Sequence, residues 1–239
     1  MSEFRFKQFS VRNDTALKVG TDAVLLGAAM ALDVGAKRYL DIGAGTGVIS
    51  LMVAQRQPEA LIEAVEIDES ASLTARFNYA SSPWADRLKC YNVALQNFSP
   101  EAPYDHIFSN PPYYDSSLKN PEESKAVARH NDSLPLSALL CFASEHLGEN
   151  GRLSLILPYD SKPRLIREAA GYGLYPFRLL AVKTTPGKAP RRLVAEFSFT
   201  RPSAAPHEDT LTLHDIKNFP GNKEGRTSEY LELTGAFYI

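Results

Sequence analysis

The chain holds 239 residues, 44% hydrophobic and 23% charged, which suffices for one α/β domain with a sizeable core and short terminal additions. A formal net charge of −2 excludes a protein that coats nucleic acid indiscriminately, so any nucleic-acid partner must be met by a local patch. Cys90 and Cys141 have no second sulfur or histidine at metal-ligand spacing, no signal peptide opens the chain, and no apolar run nears the ~20 residues of a membrane span, so a cytoplasmic protein with reduced thiols, no metal and no membrane partner is expected.

At the amino terminus, Arg5 and Lys7 stand among Phe4, Phe6 and Phe9. Phenylalanines near a spacing of two predict a short edge strand with one buried face, and the cations equally suit an arm that touches RNA. A helix follows from Thr21 to about Leu32, capped by Thr21 or Asp22. Helix amino termini attract anionic groups, which makes Lys18 and Thr21 candidate ligand contacts.

Arg38–Ile42 reads as the first buried strand, feeding Gly43-Ala44-Gly45-Thr46-Gly47 and a helix over Val48–Gln55. Strand, glycine turn and helix form the first half of a nucleotide-binding βαβ unit. Gly43, Gly45 and Gly47 let the backbone approach a ligand closely with its amides pointing outward, and Asp41 stands just ahead of them. The second strand, Leu61–Glu66, ends in a carboxylate about 20 residues after the glycines, where it can accept from both hydroxyls of a ribose. A helix over Asp68–Tyr79 and a third strand over Leu88–Val93 come next.

The fourth strand, Tyr104–Ser109, runs into Asn110-Pro111-Pro112-Tyr113-Tyr114. Two prolines can neither continue a strand nor start a helix freely, so they make a rigid extended turn at a strand's carboxyl end, where open α/β sheets bind ligands. The Asn110 side chain and the Pro111 carbonyl can accept from one amino group, while Tyr113 offers a stacking face. That set suits a planar NH2, on adenine or on a side-chain amide. The polar stretch from Tyr114 to Ser133 carries Lys119, Arg129 and His130 and serves as a lid or substrate clamp, or as a solvated insertion.

Further on, the pattern predicts a helix over Leu134–Leu147 ended by Gly148, a strand over Gly151–Leu157, a helix over Ser161–Tyr172 and a strand over Leu174–Lys183. A turn bearing Lys188, Arg191 and Arg192 then joins a hairpin to the strand Leu193–Thr200, and these cations suit phosphates or plain solvent. The tail has a linker over Arg201–Pro206, a short strand pattern at Thr210–Leu213, a helix around Tyr230–Leu233, and aromatics that dock on the domain. The division expected is an arm and helix over residues 1–35, a catalytic core over 36–200 and an extension over 201–239.

With Asp41 ahead of it and Asn110-Pro111-Pro112-Tyr113 downstream, the G-x-G-x-G turn resembles that of the class I amino methyltransferases, which use S-adenosyl-L-methionine. The flanking Phe6-Lys7-Gln8-Phe9, Lys18-Val19-Gly20-Thr21-Asp22 and Tyr230-Leu231-Glu232-Leu233-Thr234-Gly235-Ala236-Phe237-Tyr238-Ile239 are similar to those of the bacterial tRNA1(Val) (adenine-N6)-methyltransferase family. The resemblance runs nearly end to end. It implies a Rossmann-like sheet of seven mostly parallel strands with an antiparallel last strand and helices on both faces. It also implies S-adenosyl-L-methionine bound by Asp41, Gly43, Gly45, Gly47, Glu66, Lys18, Thr21 and Asn110, with catalysis by Asn110, Pro111, Pro112 and Tyr113. The partner implied is a valine tRNA met at its anticodon loop, with Arg5, Lys7, Tyr114, Lys119, Arg129, Lys188, Arg191 and Arg192 as candidate RNA contacts, and the protein is expected to be a monomer or weak dimer. Many methyltransferases hold the cofactor adenine with an Asp at the end of the third strand; this chain has Asn92 there, so Asn92 or a backbone group takes that place. Methylation of a protein glutamine amide, as on a release factor, or of a guanine amine in rRNA uses similar groups, and a non-catalytic RNA-binding protein is a further alternative.

Overall fold

The computed structural model describes residues 3–12, 19–112, 134–218 and 225–238. Lys18, Tyr113, Tyr114, Lys119, Arg129 and His130 lie outside the described residues.

Strands β3 (Arg38–Ile42), β4 (Leu61–Glu66), β5 (Leu88–Asn92) and β6 (Tyr104–Ser109) are parallel and lie side by side in the order β6-β3-β4-β5. They read as near-continuous apolar runs because helices cover both faces of the sheet. β7 (Leu147–Pro158) joins parallel to β6, and β9 (Arg192–Ser198) inserts antiparallel between β7 and β8 (Tyr175–Lys183). The antiparallel last strand expected from the family resemblance is therefore present. The strand count differs: β10 (His207–Thr212) pairs parallel with β8 and makes an eight-stranded sheet. Its alternation at Thr210–Leu213 is visible in the sequence, but its partner lies about one loop and one hairpin away, and pairing across such a separation leaves no local signature.

Helices α1 (Thr21–Ala29), α2 (Val48–Arg56) and α3 (Glu69–Ala80) pack in one apolar cluster, with Leu26, Met52 and Tyr79 among its buried members. Helices α4 (Leu136–His146) and α5 (Lys162–Gly171) pack in a second, around Leu139, Leu140 and Leu165. α4 ends differently from expectation. Leu147 takes extended backbone and the chain passes straight into β7, so Gly148 is a strand residue and not a left-handed cap. α1 is also shorter than expected, and its cap is Gly20 with no side-chain hydrogen bond from Thr21 or Asp22.

The amino-terminal phenylalanines form no edge strand of the main sheet. β1 (Glu3–Arg5) and β2 (Ser10–Arg12) make a separate antiparallel hairpin. Its buried face stacks Phe6 on Phe9 at 4.4 Å and Phe6 on Tyr238 at 5.9 Å, which docks both ends of the chain against each other. Lys7 reinforces the junction: its N–H donates to the Phe237 carbonyl at 2.8 Å and its Nζ to the Gly235 carbonyl, past the end of α6 (Ser228–Thr234), at 2.6 Å.

A buried polar network sets the position of α1. Glu196, 0% exposed, accepts from Arg178 at 2.6 Å, from the Ser154 hydroxyl at 3.0 Å and from the Ala31 N–H at 2.8 Å. Arg178 also donates to the Ala29 carbonyl at the end of α1. Both charges are thus paired and hydrogen-bonded, the condition under which burial is tolerated.

Candidate active site

β3 delivers its chain end into the glycine turn, where Gly43, Gly45 and Gly47 all have left-handed backbone, with φ of 74°, 56° and 78°. Only glycine adopts that conformation routinely. At Gly47 there is also no room, since an added Cβ would overlap the Tyr79 ring, 2.9 Å from Cζ. At Gly43 an added Cβ meets no protein atom within 4 Å, because Gly43 faces a cavity.

Glu66, at the end of β4, ties that turn to its neighbour. Oε2 accepts from the Gly45 N–H at 2.8 Å and Oε1 from the Asp68 N–H at 3.0 Å. A carboxylate has about four acceptor sites, so each oxygen retains capacity for a hydroxyl. Asp41 lies beneath the turn, 0% exposed, with Oδ2 accepting from the Ser50 hydroxyl at 2.7 Å. Burial pushes its carboxyl up to about 7, opposed by the Ser50 hydrogen bond and reinforced by the charge of Glu66. Asp41 is not on the cavity wall, so its part is to hold the turn from below.

Parallel pairing sets Ser109 beside Ile42, and the Ser109 hydroxyl donates to the Ile42 carbonyl at 2.6 Å. The register brings Asn110, Pro111 and Pro112 next to the glycine turn, and all three line the same cavity as Gly43, Gly45 and Glu66. Its volume, about 830 Å³, is in the range of small-molecule sites. The opposite wall is Val93–Asn97, which follows β5, together with Leu134 and Pro135.

Several expected contacts are placed elsewhere. Asn92 is exposed and turned away, its amide donating to the Glu66 carbonyl at 2.9 Å and the Ile67 carbonyl at 3.0 Å, so it braces the turn after β4. Thr21 is not on this wall; it borders a second cavity, while Ala23 of the same helical turn borders the first. Of the two alternatives at the end of the third strand, Asn92 or a backbone group, Asn92 is off the wall and the stretch just after it, Val93–Asn97, is on it; with no charge and no glycine there, only its position after a strand neighbouring the glycine-turn strands marks it. Of the candidate RNA contacts, Lys7 is engaged at Gly235, Lys188 is exposed on the β8–β9 turn, Arg192 pairs with Asp22 at 2.7 Å, and Arg5, Arg191 and Arg192 meet at the second cavity. Among the described residues no helix is long and apolar enough to cross a membrane, and no group of three His, Cys, Asp or Glu side chains converges as a metal site.

Residues 13–163 match the family model described as methyltransferase small domain. The chain is 41% identical over 239 residues to the tRNA1(Val) (adenine(37)-N6)-methyltransferase of Flavobacterium psychrophilum, covering 99% of both chains. The protein of that name from Bacteroides thetaiotaomicron is 41% identical over 99% of this chain and 97% of its own length. The chain belongs to the tRNA1(Val) (adenine(37)-N6)-methyltransferase family. Likeness of fold extends further: a predicted O-methyltransferase of Agrobacterium tumefaciens superposes with a TM-score of 0.67 at 19% identity, over 90% of this chain and 96% of that one. A glycopeptide N-methyltransferase in complex with S-adenosyl-L-homocysteine superposes at 0.56 with 13% identity, over 79% and 90%.

The residues present fit the cofactor that such a family uses. Gly43 presents open backbone to the cavity, Glu66 keeps acceptor capacity beside it, and the wall from Val93 to Leu95 is apolar enough to flank a planar ring. S-adenosyl-L-methionine needs those three things: close backbone approach, a carboxylate for ribose hydroxyls and a slot for adenine.

Proposed function

We propose that this protein transfers a methyl group from S-adenosyl-L-methionine to the exocyclic N6 amine of adenine 37, just 3′ of the anticodon, in a valine tRNA. The observation that carries the reading is the convergence of Asn110, Pro111 and Pro112 with the glycine turn and Glu66 on one cavity, in a chain that matches its relatives from end to end.

When bound, S-adenosyl-L-methionine supplies a methyl on a sulfonium whose departure as a neutral thioether requires no general acid. The residues of the chain supply the rest. An adenine amine is a poor nucleophile because its lone pair is delocalised into the ring. The Asn110 side-chain carbonyl and the Pro111 carbonyl accept its two hydrogens and favour the pyramidal form that attacks. The prolines hold both acceptors still, so alignment of the amine provides much of the rate enhancement. Transfer leaves the nitrogen cationic and strongly acidic, and it gives up one proton to solvent water as the methylated base leaves, so no basic side chain is required. Glu66 and the glycine turn orient the cofactor, and Asp41 with Ser50 keeps the turn in shape. The target base must leave the anticodon-loop stack, and Tyr113, with Tyr114 beside it, replaces the lost stacking, worth about 1–3 kcal/mol.

The test is transfer from labelled S-adenosyl-L-methionine to total tRNA that lacks the modification, with a release factor in parallel. Label in a valine tRNA, recovered as N6-methyladenosine, is expected. Label in the protein substrate would replace the adenine by a glutamine amide at the same Asn110 and Pro111 acceptors.

A further inference from the structure

The second cavity, about 870 Å³, lies on the other side of the first turn of α1 from the methylation cavity. It is built from parts distant in sequence: Arg5 comes from the β1–β2 hairpin, Arg191 and Arg192 from the start of β9, and Arg226 from the carboxyl-terminal segment. One carboxylate, Asp22, stands against these four arginines in the described lining, and its 2.7 Å ion pair with Arg192 neutralises it there. Arg5 also has an ion pair with Glu3 at 3.1 Å, just outside the lining, but both side chains are exposed and such a pair is weak enough for a phosphate to displace, so the lining is net positive in a chain whose net charge is −2. One wall is aromatic, with the rings of Phe4 and Tyr238 meeting edge-on at 6.1 Å. β8 runs parallel to β3 and β6, so its carboxyl end and the adjoining start of β9 lie at the same edge of the sheet as the glycine turn and Asn110.

Guanidiniums beside aromatic rings are the combination that holds single-stranded nucleic acid: charge tracks the phosphates and rings take the faces of bases. A base drawn out of the anticodon loop splays its neighbours, leaving a flanking phosphate and base to be held. We propose that this cavity is a second RNA subsite, in which Arg5 and Arg191 bind a backbone phosphate of the strand flanking the methylated base and the Phe4–Tyr238 wall receives an adjacent base. The subsite rests on the tRNA reading above. It also gives the docking of the two chain ends a use, since neither end alone completes the cavity.

The experiment is equilibrium binding of unmodified valine tRNA across a salt series, for the wild type, the double variant Arg5→Gln/Arg191→Gln, and Arg164→Gln on α5 in the opposite helix layer. The double variant is expected to bind tRNA about tenfold more weakly, with the slope of log K against log salt reduced by about 1.4, while cofactor affinity and thermal midpoint stay at wild-type values. Arg191→Gln alone, expected to reduce the slope by about 0.7, carries the test should the double variant fold poorly. Unchanged affinity and slope in a variant that binds cofactor, or an equal loss in Arg164→Gln, overturns the subsite. A wild type that neither binds nor methylates tRNA overturns the tRNA reading and the subsite with it; a wild type that methylates tRNA while the double variant binds it as tightly overturns the subsite alone.

Discussion

Two glycines of one turn carry different duties, and alanine at each separates them. Gly47→Ala meets two penalties. Its φ of 78° costs a non-glycine residue about 1–2 kcal/mol, and the new methyl overlaps the Tyr79 ring, an overpacking of about 1–3 kcal/mol. The sum is about 2–5 kcal/mol. Gly43→Ala has nearly the same φ, 74°, but no protein atom within reach of its Cβ, so only the conformational part of about 1–2 kcal/mol applies. The ranking inverts for cofactor affinity, because Gly43 lines the cavity it shares with Glu66 and Asn110 and Gly47 does not. Urea unfolding of both variants, paired with calorimetric titration of S-adenosyl-L-methionine, reads the two effects separately. Adding Tyr79→Leu to Gly47→Ala should restore part of the overpacking loss while leaving the φ cost in place. Equal destabilisation by the two alanines, or a Gly43→Ala variant that binds cofactor as the wild type does, refutes this division of labour.

Glu66→Gln should raise the cofactor dissociation constant tenfold or more, since charge-assisted hydrogen bonds are worth about 1.5–3 kcal/mol; calorimetry checks it. Glu196→Ala takes the carboxylate from a part-buried Arg178, which keeps the Ala29 carbonyl, and leaves the Ala31 N–H without its acceptor; it should lower stability by about 2–3 kcal/mol in urea titrations, with little change in cofactor affinity per folded molecule. His106 is held to about 3 by burial and by the nearby charge of Arg152, against 6.5 when unfolded. The unfolded chain therefore binds the extra proton first, and stability falls as pH drops from 6.5 toward 3. His106→Gln should flatten that acid limb in unfolding curves measured from pH 7 to 4; an identical limb would show that His106 does not contribute to it.

What the sequence reveals follows the reach of each interaction. The glycine turn, Glu66 and Asn110-Pro111-Pro112 are legible because their backbone or acceptor duties dictate residue type at fixed local spacing. Parallel pairing of β3, β4 and β6 then brings them together, as the buried apolar strands imply. Features decided by distant partners are not legible. Lys7 looks like a free cation until its bond to the Gly235 carbonyl, 228 positions away, is seen. β10 finds β8 only through register, and Asn92 looks like a ligand contact although its amide closes a turn. Gly148 shows the limit of punctuation: glycine after a helical run suggests a left-handed cap, but the packing of α4 leads directly into β7. The second cavity draws on both chain ends and the β8–β9 hairpin, so no window of sequence contains it.

The most direct measurement of the central claim compares wild type and Asn110→Ala on unmodified valine tRNA with labelled S-adenosyl-L-methionine, locating the methyl by mass spectrometry of nuclease fragments and measuring cofactor binding in parallel. The expected result is a methyl on N6 of adenine 37 with the wild type, and none with Asn110→Ala although the variant still binds cofactor. A methyl on any other atom or molecule, or undiminished transfer by Asn110→Ala, would contradict it.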